Sequence, residues 1–173
     1  MKKVIQPKIY LYSQPKDGNY AKFFLDNLPI VAHSPLCLPI SRTESVIKQC
    51  KKIREKCLFD INIIVILLGQ DTWRSAELDW LINSGLNSKN KTKSAILGIC
   101  LPTRDDFGKG RYSKSTIPPR LHDNVRSNYA EIRDFREEPV LIKKWINDII
   151  KNKKGTSKNH RKPIYKDLNG NGW

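Results

Sequence analysis

The chain has little of what usually announces a chemistry. Its four cysteines, Cys37, Cys50, Cys57 and Cys100, form no CxxC pair, and its three histidines, His33, His122 and His160, do not stand at ligand spacing. No structural zinc site is expected, and reduced, mostly buried thiols are. Cys50 and Cys57, seven apart, fall on one helix face and suit packing. There is no GxGxxG and no P-loop; GKGRYSKS, from Gly108, lacks the phosphate-cradle spacing and follows no strand. Ser13 has no nucleophile elbow around it, and the histidines show no triad logic that sequence can test. The longest apolar run, Ile61 to Gly69, is broken by Asn62 and far too short for a bilayer. The first residues, MKKVIQPKIYLYSQPKDG, include no apolar stretch of signal-peptide length, so the expectation is a cytoplasmic protein with no membrane partner.

Acids are also scarce. Seventeen Asp and Glu face 32 Lys and Arg, a net charge of +15. Such an excess suits a nucleic acid, an anionic small substrate or an acidic protein partner. The basic residues are spread over Lys48 to Lys56, Lys89 to Lys93 and Lys143 to Lys162, with no basic-aromatic module among them. A dispersed solubilising surface is therefore preferred, and nucleic-acid binding is kept as a less favoured reading.

What is present is a globular pattern. With 173 residues, 39% of them hydrophobic, the chain fits one domain with a real core. The most informative stretch is Ile61 to Leu86, INIIVILLGQDTWRSAELDWLINSGL. An Ile/Val-rich run, long enough for a strand buried on both faces, breaks at Gly69 and enters a helix over Trp73 to Leu86, with Asp71 or Thr72 as its cap. Lys8 to Ser13 and Ser94 to Leu101 read as further strands, the former alternating apolar and polar, and Ile30 to Ala32 as a short one. Asn19 to Leu28 and Glu138 to Ile150 read as amphipathic helices. Ser41, with Glu44 three residues on, marks a capping box at the start of another. TIPPRLHDN, within the long irregular stretch Thr103 to Asn128, reads as an ordered covering loop, and Tyr129 to Arg133 as an edge strand. Strands alternating with helices predict an α/β fold: a flavodoxin-like, doubly wound parallel sheet in a single domain. Residues 1–150 would form it, and 151–173 a basic C-terminal extension that packs on it or trails as a tail. In such sheets ligands sit where strands end, which directs attention to Gly69 through Trp80.

The order of parts carries a resemblance. KIYLYS, a polar turn and YAKFF come first. A long helix leads to VILLGQDTW, and a helix carrying LDW, then AILGICLPT and TIPPRLHDN follow. This resembles the TIR-like family that includes the TIR protein of Thoeris antiphage systems, over roughly Lys8 to Trp145. The resemblance implies the same flavodoxin-like fold. It also implies NAD+ as substrate, with cleavage of the nicotinamide–ribose bond to give an ADP-ribose-type signal, and no bound cofactor. The family's catalytic glutamate lies in T-W-x-S-x-x-V-D-W-E-[IL]; the matching residues here are Thr72, Trp73, Ser75, Leu78, Asp79, Trp80, Leu81 and Ile82, so Leu81 occupies the glutamate position.

Cleaving that bond develops oxocarbenium character at the ribose, which a neighbouring carboxylate stabilises and a leucine does not. Glu77, four residues before Leu81 on the same helical face, is the candidate replacement. Ser13 and Gln14 at the first strand's exit, and Gly69, Thr72 and Trp73 at the central strand's exit, are candidate substrate-binding residues. Trp73 and Trp80, seven apart, are read as sharing a face, with core packing preferred to stacking on a nucleobase. Three functions remain open. The first is NAD+ glycohydrolase or ADP-ribosyl cyclase-like chemistry in antiphage signalling. The second is a catalytically degenerate TIR-like module acting by self-association through TIR contacts or by partner binding. The third is nucleic-acid binding.

Overall fold

In the computed structural model the described residues are 6–34, 41, 43–87 and 94–151. Five strands, β1 (Ile9–Tyr12), β2 (Ile30–His33), β3 (Ile63–Leu68), β4 (Ala95–Cys100) and β5 (Ala130–Asp134), form one all-parallel sheet in the order β2-β1-β3-β4-β5. Five helices connect and flank them: α1 (Gly18–Asn27), α2 (Val46–Lys52), α3 (Ala76–Leu86), α4 (Pro119–Arg126) and α5 (Pro139–Lys151). This is the doubly wound α/β arrangement. Among the described residues, no helix is long and apolar enough to cross a membrane.

The central strands read IIVILL and AILGIC because both their faces are covered. Ile9, Leu11, Ile63, Val65, Leu67, Leu97 and Ile99 pack beneath α1 and α5; Tyr10, Tyr12, Ile64, Ile66, Leu68 and Ile96 pack beneath α2, α3 and α4. Each fully buried Ile or Leu contributes about 1.5–3 kcal/mol, so these strands dominate the core. β1 departs from the alternation expected of it: all four residues are buried, because the tyrosines of IYLY face a helical layer rather than water.

Several local expectations are corrected. The helix after Ser41 begins at Val46, and its N-cap is Ser45, whose side chain accepts from the Lys48 N–H. No capping box forms: the Ser41 N–H donates to Gln49 Oε1 (2.9 Å), and Glu44 pairs with Lys52 (2.6 Å). The helix then widens into a π-helical turn, Ile53–Cys57, which keeps Cys50, Ile53 and Cys57 buried. The three cysteines described are free and buried; Cys37 lies outside the described residues, as do the segment 152–173 and most of the Asn87 to Thr92 loop.

The helix expected from Trp73 is split. Thr72–Arg74 form a 3-10 turn and Ser75, in an extended conformation, caps α3 by accepting from the Leu78 N–H (3.1 Å). Neither Asp71 nor Thr72 caps it. Because Ser75 interrupts the helix, Trp73 and Trp80 do not lie on one helical face. TIPPRLHDN is not a loop: Pro119 opens α4, where a missing N–H is harmless. Arg120 and Asn124 of that helix are buried. The helix ends with Asn128 at φ 56°, a left-handed conformation that asparagine tolerates.

Candidate functional site

β1 continues to β2 on one side, whereas β3 continues to β4 on the other. The strand order therefore reverses at the exits of β1 and β3, the switch point at which doubly wound sheets form a ligand-binding crevice. Gly69 leaves β3 there, and Ser13 and Gln14 leave β1.

On the α3 side, Tyr12 is buried and its hydroxyl stands 2.7 Å from Ser75 Oγ. Ser75 thereby ties the end of β1 to the first turn of α3. Burial, and next the charges of Glu77 and Asp17, raise the Tyr12 pKa, against the lowering effect of Ser75, so the phenol stays protonated. Glu77 sits in that first turn, half-buried, and desolvation raises its carboxyl above the ordinary range. Leu81, one turn further on, is fully buried in the core cluster that also holds Tyr12 and Trp80. Asp79 faces elsewhere: its carboxylate receives Arg120 of α4 at 2.8 and 3.3 Å, with both residues buried.

On the α1 side, Asp17 is 2% exposed and lies directly against Gly69. A Cβ at position 69 would stand 2.6 Å from Asp17 Oδ2, so only glycine lets the strand exit pass this carboxyl. Burial pushes the Asp17 pKa up; Lys16 lowers it and Asp71 raises it. Asp17 Oδ2 and Gln14 Oε1 are buried acceptors without a hydrogen bond among the described residues. Lys16 pairs with Asp71 across the crevice, and this holds the Asp71 carboxyl below its usual range. Towards β2, Ser13 Oγ stands 2.9 Å from His33 Nε2, and the Ser13 N–H donates to Ser34 Oγ (3.2 Å). Desolvation lowers the His33 pKa, favouring the neutral ring.

The expected substrate-binding residues thus divide. Ser13, Gln14 and Gly69 lie at the two strand exits. Thr72 lies there too, but it is fully buried, and its Oγ1 accepts from the Gly69 N–H (2.8 Å) and donates to the Leu67 carbonyl (3.5 Å), latching the turn. Trp73 is half-buried, with the Arg74 guanidinium stacked 4.8 Å above its ring. Sequence reasoning missed Asp17, read only as turn punctuation, and the roles of His33, Ser75 and Arg74. An acid placed just after a first strand is a visible signal, but its contact with Gly69 follows from strand order.

Among the described residues, no group of three or more His, Cys, Asp or Glu is placed to hold a metal ion. A cavity of about 480 Å³ lies at the opposite, N-terminal end of the strands, lined by Gln6, Ile9, Leu28, Pro29, Ile146 and Asn147. It is far from the groups described above and contributes nothing to them.

Residues 27–106 match the family described as Thoeris protein ThsB, TIR-like domain. The match runs from the end of α1 through β2, α2, β3, α3 and β4 and so includes Gly69, Trp73, Glu77 and Leu81. No curated protein and no solved structure matches the chain. The likeness to the TIR-like domain of the Thoeris protein ThsB thus covers segment 27–106, the part of the chain that carries the β3 exit and α3.

Proposed function

We propose that this TIR-like protein serves antiphage defence by taking NAD+ or a related nucleotide into the crevice at the β1 and β3 exits. There it breaks the nicotinamide–ribose bond, with Glu77 as the carboxylate beside the ribose. The observation that carries this reading is the setting of Glu77: half-buried, in the first turn of α3, beside the Tyr12–Ser75 pair at the chain reversal. Desolvation penalises its negative charge. Positive charge developing at the ribose as nicotinamide leaves would relieve that penalty, so the interaction strengthens in the transition state rather than in the bound substrate. The freed ADP-ribosyl group, passed to water or to an internal acceptor, is the source of a signal.

Release of nicotinamide from NAD+ by the purified chain tests this. Glu77→Gln is expected to lower the rate by about 10²–10³-fold, the scale of losing one preorganised electrostatic group, with the melting midpoint retained. An inert native chain would reject the reading.

A second reading rests on Leu81. A fully buried leucine where the family places its glutamate favours a module that acts by self-association or by binding a partner. It predicts no turnover together with concentration-dependent assembly in sedimentation, and a chain that stays monomeric at high concentration and captures nothing would reject it. Leu81→Glu would not restore chemistry, because the new carboxylate would enter the core beside Tyr12 and Trp80.

A further inference from the structure

Arg74 lies in the 3-10 turn just beyond the β3 exit, stacked on its neighbour Trp73. Its guanidinium lies 4.8 Å above the Trp73 ring and is exposed to solvent. Among the described residues no carboxylate forms an ion pair with it, since the neighbouring Asp71 is taken by Lys16. The buried arginines differ: Arg104 is clamped by Asp106 and Arg120 by Asp79. Stacking occupies one face of a guanidinium and leaves its N–H edge free, the edge that forks onto phosphate oxygens. Trp73 also removes much of the rotamer freedom that an exposed arginine would otherwise lose on binding. Thr72 latches the turn that carries both residues to Gly69 and Leu67.

We propose that Arg74, held by Trp73, is the specificity-determining contact for the pyrophosphate of the nucleotide. It would select phosphate-bearing dinucleotides over the bare nicotinamide riboside. This rests on the reading of the crevice as a nucleotide site, and it gives one local component of the +15 charge a specific partner. The guanidinium binds; it takes no part in bond breaking, which stays with Glu77.

ADP is the probe, because it carries the pyrophosphate and cannot be turned over by loss of nicotinamide. Titrating ADP into the native chain, with tryptophan fluorescence and calorimetry as readouts, should show binding that weakens with salt. Arg74→Gln should weaken it about tenfold or more, the scale of losing a hydrogen bond to a charged group. Arg74→Lys should recover only part, keeping charge without the fork. In turnover, Arg74→Gln should raise KM for NAD+ with kcat little changed and leave nicotinamide riboside cleavage untouched. Equal ADP affinity in the native chain and Arg74→Gln overturns the proposal, and so does a native chain that binds no ADP. NAD+ cleavage with an unchanged KM in Arg74→Gln removes this proposal alone and leaves the proposed function standing. Inert protein that still binds ADP through Arg74 removes the proposed function alone.

Discussion

Asp17 is a residue whose position costs stability and whose surroundings explain why. It is buried against Gly69, and its Oδ2 finds no hydrogen-bond donor among the described residues. Its pKa is raised in the folded chain, so the folded state holds the proton more tightly than the unfolded state does. With more protons bound in the native state, stability falls as pH rises from the ordinary value of 3.8 through the raised folded value, and above that the whole penalty is present. Asp17→Asn is therefore expected to raise the urea midpoint at pH 7, with the gain shrinking as pH falls towards 3.8 and below. A gain that stays constant across that range would show that charge is not the cause. Leu81 makes the complementary point. It stands where the resemblance leads one to expect a glutamate, and its side chain is completely buried in the core.

Single elements were legible where periodicity or length marked them. The runs IIVILL and AILGIC announced strands buried on two faces, and α1 and α5 followed their apolar stripes within a residue or two. α4 was not legible, because two prolines and a polar sequence look like a loop. Its stability comes from partners distant in sequence: Arg120 inserts towards Asp79 of α3, 41 residues away, and Leu121 joins the core. The split before α3 was hidden for a similar reason, since Thr72 prefers its bonds to Gly69 and Leu67 over continuing a helix. The Asp79–Arg120 pair should act as the lock between these helices. Removing one partner leaves a buried charge uncompensated, so Arg120→Ala or Asp79→Ala should destabilise by about 3–5 kcal/mol. The double replacement by apolar residues, Asp79→Leu with Arg120→Met, should recover much of that loss in chemical denaturation.

At the scale of the whole molecule, fifteen excess positive charges repel one another across a small domain. Salt should relieve this. Raising ionic strength from about 0.01 to about 0.15 M shortens the screening length from about 30 to about 8 Å, and the melting midpoint should rise by a few degrees over that range. A midpoint that falls with salt would mean that attractive ion pairs outweigh the repulsion. Exposed pairs such as Lys22–Asp26 and Lys144–Asp148 do not alter this expectation, since such contacts contribute little.

The sequence by itself determined the α/β class and the family likeness, and it directed attention to the strand exit at Gly69. Hydrophobic period, strand-to-helix order and the Gly69 break are local properties, readable residue by residue. Only the tertiary structure decided which side chains meet. Strand order brings β1 beside β3, and so places Asp17 against Gly69, Tyr12 on Ser75 and Lys16 on Asp71. These contacts span 52 to 63 residues of chain. No local signal encodes such distances, because they follow from how the sheet is ordered and not from what any one segment prefers.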